Sequence, residues 1–180
     1  ESAINTAPYD GRPACTNGGS CVTGCNNRSK SSSDVTYWPK AIDNGTVLKT
    51  GARVSEIIIG KNGLVEGAVY FDQTGRAHEQ RSRITVIACN GIGTPRLLLN
   101  SKSGLFPDGL ANNSGLVGKN LMFHPVAMTV GAFDEALESH QGPLAVSITS
   151  YEHYETDLSR GFVRGYQLQG NRELGPLNTA

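Results

Sequence analysis

Apolar and polar residues alternate in short runs between residues 46 and 83. The runs TVLKT, ARVSEIII, LVEGAVYF and AHEQRS are separated by Thr50-Gly51, Lys61-Asn62-Gly63 and Gln73-Thr74-Gly75. Asn-Gly between two apolar runs is a strong hairpin signal, because both central residues of a type I′ turn adopt positive φ. The pattern therefore predicts a meander of consecutive antiparallel strands with a type I′ turn at Asn62-Gly63.

Residues 84–89 (ITVIAC) form a continuous apolar run, which is typical of a strand buried on both faces in a parallel sheet. A turn over residues 90–95 follows, and we expect a helix over 96–101 with Thr94 as N-cap and Pro95 at its first position. Such a strand-turn-helix can bind an anion or a dinucleotide at the helix N-terminus, but strand-to-helix turns without a ligand look similar. No G-x-G-x-x-G fingerprint occurs in the 180 residues.

The remaining segments carry weaker patterns. A polar loop at the start of the chain is followed by a short predicted helix over residues 39–43, opened by a proline and stopped by Asn-Gly. Further strands are predicted over 126–133, 144–150 and 162–168, after a turn-rich connection. The fold class is α/β, with α+β character in this chain.

Composition narrows the functional classes. Sixteen basic and 16 acidic residues leave a formal net charge of zero, which argues against a nucleic-acid-binding protein. No run of about 18 apolar residues exists, so no transmembrane segment is predicted in this chain. The chain opens with Glu-Ser-Ala rather than Met, and we expect it to be an internal piece of a longer protein.

Cys15, Cys21 and Cys25 lie in a glycine-rich loop, whereas Cys89 ends the apolar run. Three thiolates at this spacing can converge on a metal ion or an iron-sulfur cluster. Two alternatives stay open, namely a disulfide between two of the three with one thiol left over, or three free thiols.

Two other groups of polar residues could contribute to a site. His124 precedes a proline, where a structural role is more usual than that of a catalytic base. Tyr151, His153, Tyr154 and Asp157 either line a pocket or form a solvated face. Their spacing does not distinguish the two.

Three segments in the same order resemble the glucose-methanol-choline (GMC) family of FAD-dependent oxidoreductases. Residues 84–101 (ITVIACNGIGTPRLLLNS) resemble the family's second signature, and residues 109–125 (GLANNSGLVGKNLMFHP) resemble its "VGxNLxDHP" segment. The cysteine loop, residues 12–31, resembles that of the gluconate, sorbitol and glucose dehydrogenase branch.

The resemblance implies an internal fragment of an FAD-dependent enzyme that oxidises CH-OH groups of alcohols or sugars. Residues 1–125 would be the middle part of a Rossmann-like FAD-binding domain, and residues 126–180 would begin an incomplete, β-rich substrate-binding domain. The first of these would contain four parts: the cysteine loop 12–31, the meander 46–83, the strand-turn-helix 84–101 and the connection 102–125.

The resemblance also implies cofactor-binding residues. The valine that lies against the adenine in the family corresponds to Val54, and the turn near the cofactor corresponds to Asn90, Gly91, Thr94 and Pro95. The family's catalytic histidine lies beyond this chain, so no residue here is assigned as catalytic. Hydride would pass from the alcohol carbon to flavin N5.

Departures from the family pattern point to a dehydrogenase rather than an oxygen-using oxidase. Asn90-Gly91 replaces the usual Gly-Ala, and a lysine follows the serine that ends the signature. The Cys-x5-Cys-x3-Cys loop of the dehydrogenase branch implies that Cys15, Cys21 and Cys25 hold a 3Fe-4S cluster and pass electrons to a haem-containing subunit.

A protein with such a cluster would be periplasmic or membrane-associated, and one without it cytoplasmic. The alternative function is a stand-alone iron-sulfur or metal-binding β-module without flavin.

Overall fold

The computed structural model describes residues 3–21, 23–131, 133–136, 141–142 and 145–172. The elements along the chain are α1 (Ser33–Asp43), β1 (Arg53–Ile59), β2 (Val65–Phe71), β3 (Ala77–Arg81), α2 (Asn90–Asn100), β4 (Ala145–Ser150), a 3-10 turn (Leu158–Arg160) and β5 (Leu168–Arg172). They divide into two compact units. We call Leu48–Met128 the meander unit, and Glu1–Val47 with Thr129–Ala180 the cysteine unit. No helix in the described part of the chain is long and apolar enough to cross a membrane.

The predicted meander is confirmed in the meander unit. Strands β1, β2 and β3 form one antiparallel sheet in sequence order. The first predicted run, residues 46–50, is irregular and not a strand. Its Val47 is exposed, because no strand of the described chain pairs with this run.

The hairpin at Asn62-Gly63 is confirmed, but the predicted type I′ turn is wrong. Gly63 has φ of 78°, whereas Asn62 does not adopt positive φ. The N–H of Gly63 donates to the carbonyl of Gly60 at 2.9 Å, and the N–H of Gly60 donates to Leu64 at 2.8 Å. These bonds define a three-residue loop in which only the last residue needs the left-handed conformation.

Helix α2 packs against β1 and supplies the core of the meander unit. Ile57 of β1 is 5% exposed and Leu97 of α2 is 7% exposed, and they are the buried apolar side chains among the described residues. Ser101, at 1% exposure, follows the helix. Its hydroxyl accepts a hydrogen bond from the N–H of Ile57 at 2.8 Å and donates to the carbonyl of Leu97 at 2.7 Å.

Helix α2 begins earlier than the sequence predicts, so the N-cap role of Thr94 is wrong. Asn90 has φ of 63°, and its side-chain oxygen accepts from the N–H groups of Ile92 and Gly93, both at 2.9 Å. This bonding satisfies the first helical amides four residues ahead of the predicted cap. Pro95 therefore lies inside the helix rather than at its first position.

The predicted buried strand over residues 84–89 is not formed. This run is irregular and has no ladder partner, and Ile84 and Val86 are 80% and 82% exposed. A strand of a parallel sheet is buried only when neighbouring strands and covering helices are present. The described residues provide neither for this run.

The cysteine unit also departs from the predicted elements. Helix α1 begins six residues before the predicted 39–43 segment, with its proline inside. Strands β4 and β5 pair antiparallel, which confirms the predicted strand over 144–150 apart from residue 144, outside the described residues.

The predicted strand over 162–168 is wrong, because β5 begins where that segment ends. The guanidinium of Arg160 donates to the His153 carbonyl at 3.0 Å, and the N–H of Tyr166 donates to the same carbonyl at 2.9 Å. These bonds fold the segment into a loop. The predicted strand over 126–133 is irregular in its described residues, which exclude residue 132.

Candidate functional site

All five residues that the resemblance assigns to the cofactor lie in the meander unit. Val54 is on β1, opposite Tyr70 of β2, and is 41% exposed. Asn90, Gly91, Thr94 and Pro95 lie in the first turns of α2. Because α2 packs on β1, one rigid core supports both parts of the candidate site.

The turn at the start of α2 has an open surface at Gly91. A β-carbon there would meet no other atom within 4 Å. Ile92 beside it is exposed. A planar ring or a ribose could therefore contact the backbone here without displacing a side chain.

Some backbone donors of the same turn are already bonded within it. The side-chain oxygen of Asn90 accepts from the N–H groups of Ile92 and Gly93, and the N–H of Cys89 donates to the Thr94 hydroxyl at 3.2 Å. Phosphate sites at helix N-termini use such amides. The open backbone at Gly91 therefore fits a neutral part of FAD, and fewer amides of this turn are available to its pyrophosphate.

Residues 109–125, the second resembling segment, begin against α2. The N–H of Leu110 donates to the carbonyl of Leu98 at 2.9 Å. A β-carbon at Gly118 would lie 3.1 Å from the Leu99 side chain, so this glycine permits the close approach. Sequence reasoning missed these packing roles and that of Ser101, although each residue lies in a quoted motif.

A buried arginine organises the cysteine loop. The guanidinium of Arg12 donates to the hydroxyl of Ser31 at 3.0 Å and to the carbonyl of Arg28 at 3.3 Å. The N–H of Asn5 donates to the Ser29 carbonyl at 3.0 Å. These contacts hold the two ends of the loop together.

All three cysteines of this loop line one small cavity, but in the described part of the chain they do not form a group that could hold a metal ion. Cys15, Cys21 and Cys25 are half-buried free thiols. Among the described residues, no group of three or more His, Cys, Asp or Glu side chains could hold a metal ion. The 3Fe-4S cluster implied by the resemblance is therefore not supported, and neither is the stand-alone metal-binding module.

Different backbone amides bond to the sulfurs of Cys15 and Cys25. Cys15 accepts from the N–H of Asn17 at 3.3 Å, whereas Cys25 accepts from the N–H of Lys30 at 3.4 Å. Of the arrangements left open by the spacing, the structure contains three free thiols.

The polar residues near the end of the chain serve local structure. Tyr151 and Tyr154 are exposed and pack edge to face at 5.8 Å. The side chain of Asp157 accepts a hydrogen bond from the N–H of Ser159 at 3.0 Å, at the start of the 3-10 turn. His124 is exposed and has no hydrogen bond in the described structure. These residues do not form a second candidate site.

The GMC oxidoreductase family model matches residues 5–126, more than half of the chain, including the segment that contains α2 and the segment that packs on it. The chain belongs to the GMC oxidoreductase family. GMC oxidoreductases are flavoproteins that bind FAD, and this region of them is the Rossmann-like FAD-binding part.

Several characterised GMC oxidoreductases are similar to this chain. The 2-methyl-1,2-propanediol dehydrogenase of Mycolicibacterium austroafricanum is 42% identical over 182 aligned residues, which cover 100% of this chain and 33% of that protein. The 6'''-hydroxyparomomycin C oxidase of Streptomyces lividus is 34% identical, over 89% of this chain and 31% of that protein. The fructose dehydrogenase large subunit of Gluconobacter japonicus is 34% identical, over 68% of this chain and 22% of that protein. The chain thus spans about a third or less of the length of these relatives.

Proposed function

We propose that this chain is part of an FAD-dependent oxidoreductase that oxidises CH-OH groups of alcohols or sugars. The match to the GMC family over residues 5–126 carries the proposal. The similar proteins named for a diol and for fructose support the substrate class. FAD, when bound, supplies the hydride acceptor for alcohol oxidation.

Within that enzyme, the meander unit contributes to the FAD cradle. Val54 provides an exposed apolar surface on β1, and Gly91 leaves the backbone open at the start of α2. Asn90, Thr94 and Pro95 hold the turn in position for contact with a neutral part of the cofactor. The amides of Ile92 and Gly93 are already bonded to the side chain of Asn90, so we do not assign them to a phosphate.

We also propose that the electrons pass to an acceptor other than oxygen. The departures at Asn90-Gly91 and the dehydrogenase name of a similar protein support this, although other similar proteins are named oxidases. The name "large subunit" of the fructose dehydrogenase favours a partner subunit as acceptor. The electron path does not involve a cluster on the cysteine loop.

A chimera tests the family role directly. In the 2-methyl-1,2-propanediol dehydrogenase, this chain replaces the aligned third of the sequence. We expect the purified chimera to retain FAD and to reduce an artificial dye when the diol is added. A folded chimera without flavin would contradict the proposal.

A second chimera tests the acceptor. The same replacement in the 6'''-hydroxyparomomycin C oxidase should lower hydrogen peroxide formation relative to dye reduction. Unchanged peroxide formation at equal flavin content would refute the proposed acceptor while leaving the flavin role intact.

A further inference from the structure

The cysteine loop borders a cavity that the proposed oxidoreductase function does not use. This open cavity has a volume of about 270 Å³, and its lining includes Cys21, Cys25, Arg28 and Lys30. All of the lining residues belong to the cysteine unit. Two thiols and two cationic side chains therefore share one solvent-accessible space.

The environment of Cys25 lowers the pKa of its thiol, and the thiol form donates to the side-chain oxygen of Asn27 at 3.2 Å. The Ser29 hydroxyl lies 3.5 Å from its sulfur, and the N–H of Lys30 donates to the sulfur at 3.4 Å. These contacts lower the pKa of the Cys25 thiol to about 7, and the Ser29 hydroxyl contributes more than the Lys30 amide. The thiolate is the nucleophilic form of cysteine.

Lys30 and a turn hold the second thiol on the same loop. The ammonium of Lys30 donates to the carbonyl of Cys21 at 2.7 Å, while its backbone N–H bonds to Cys25. The N–H of Gly24 donates to the carbonyl of Ser20 at 2.9 Å and closes the turn between the two cysteines.

We propose that Cys21 and Cys25 form a thiol-disulfide exchange site for an anionic low-molecular-weight disulfide. The Cys25 thiolate attacks one sulfur of that disulfide, whose S–S bond breaks, and the other half leaves as a thiolate. Cys21 loses its proton to solvent and attacks the mixed disulfide at the Cys25 sulfur, releasing the second half. One disulfide is thus reduced to two thiols as the protein dithiol is oxidised by two electrons.

The cavity charge selects the anionic disulfide. Arg28 and Lys30 line the cavity, and Asp34 is the single carboxylate residue among its lining residues. The net positive charge attracts carboxylates carried by the disulfide.

Trapping the mixed disulfide tests the order of the two steps. The 180-residue chain and its Cys21→Ser and Cys25→Ser variants are incubated with glutathione disulfide and analysed by peptide mass spectrometry. We expect a Cys21–Cys25 disulfide in the wild type, a glutathionyl adduct retained on Cys25 in Cys21→Ser, and no adduct at Cys21 in Cys25→Ser. A Cys25→Ser variant that reacts as fast as the wild type, or wild-type adducts mainly on Cys15 or Cys89, would overturn the proposal.

The rate measures the effect of the environment of Cys25. At pH 7 a thiol of pKa about 7 is half ionised, but its lower basicity makes the thiolate less nucleophilic. The two effects together predict reaction roughly three- to fourfold faster than that of an unstructured cysteine peptide. A rate equal to that of the peptide counts against the site.

A charge variant separates cavity recognition from general thiol reactivity. Arg28 has φ of 61°. The replacement is asparagine, because asparagine tolerates the left-handed region. Lys30 is left unchanged, because its ammonium holds the carbonyl of Cys21. The Arg28→Asn variant should react more slowly with glutathione disulfide and no more slowly with cationic cystamine.

Equal slowing with both disulfides would contradict recognition by the cavity. If the Arg28→Asn variant does not fold, salt provides the second measurement. Added salt should slow the wild type with glutathione disulfide and not with cystamine, because screening weakens the attraction. The same rates at low and high salt would remove the proposed selectivity. None of these measurements depends on FAD.

Discussion

Ser101 shows how much one buried hydroxyl can contribute in a small core. Its oxygen accepts from the N–H of Ile57 and donates to the carbonyl of Leu97, so it joins β1 to the end of α2. Nothing in its sequence position distinguishes this role from that of a solvent-exposed helix cap. The bonds become visible only when the helix lies on the strand.

Ser101→Ala should lower the free energy of unfolding by about 1–3 kcal/mol, because the buried N–H of Ile57 loses its acceptor. Urea denaturation followed by circular dichroism measures the change. Ser114→Ala is the matched control, since the Ser114 hydroxyl accepts from an exposed N–H. Equal stability of the two variants would contradict the assigned role of Ser101.

Gly91→Leu tests direct contact with FAD. A side chain at Gly91 would meet no atom of this chain within 4 Å, so the fold should tolerate it. We expect the diol dehydrogenase chimera carrying Gly91→Leu to lose most of its bound FAD, measured as flavin absorbance per protein. Gly104→Leu, at another open glycine, should retain the cofactor. Full flavin content in Gly91→Leu would show that FAD does not contact the backbone at Gly91.

At the scale of elements, the meander depends on close backbone contact at one position. Gly67 of β2 has φ of 151°, and a β-carbon there would overlap the carbonyl oxygen of Gln80 on β3. The pairing of β1 with β2 has two register shifts, and the bulge between Ile58 and Ile59 lies beside Gly67. The alternating pattern predicted these strands but not the bulge.

Gly67→Ala should therefore destabilise the sheet by several kcal/mol, about as much as a severe core substitution. Thermal unfolding and the retained β-sheet signal in circular dichroism measure the effect. Gly104→Ala is the control, because its β-carbon meets open space. A melting temperature unchanged by Gly67→Ala would show that β3 can shift without cost.

The start of α2 is the second element that a substitution can test. Asn90→Ala removes the oxygen that bonds to Ile92 and Gly93, and alanine is strained at φ of 63°. We expect a loss of about 1–2 kcal/mol in stability. Asn90→Gly relieves the strain and should recover part of the loss in urea denaturation. If both variants have the same free energy of unfolding as the wild type, the hydrogen bonds to Asn90 do not stabilise the helix.

At the scale of the whole molecule, the chain exposes apolar residues that an isolated domain would cover. Residues 84–89 have no pairing strand in the described structure, and both Ile84 and Val86 are exposed. The chain also spans only a third of the 2-methyl-1,2-propanediol dehydrogenase to which it is similar. The meander unit therefore exposes apolar surface at residues 84–89.

The 180-residue chain by itself should not retain FAD or oxidise an alcohol. It has no G-x-G-x-x-G loop for the pyrophosphate, and two of the amides at the start of α2 are already bonded. Gel filtration with added FAD, followed by the flavin absorbance of the protein peak, measures retention. Stoichiometric flavin in that peak would contradict the prediction.

The sequence by itself determined the family, the three strands of the meander and the existence of α2. These features depend on local alternation, on turn residues and on motifs that are contiguous in the chain. The start of α2 was misplaced because Thr94-Pro95 is a good helix opening, whereas Asn90 provides an earlier cap that needs positive φ.

Only the tertiary structure decided which candidate groups come together. The cysteine spacing is equally compatible with a cluster, a disulfide or free thiols, because spacing does not specify where each sulfur points. Hydrogen bonds across the folded loop place the sulfur of Cys25 next to Ser29 and Lys30. All three cysteines of the loop are free thiols. Burial of residues 84–89 was likewise beyond the sequence pattern, because burial depends on the elements that surround a strand as well as on its own residues.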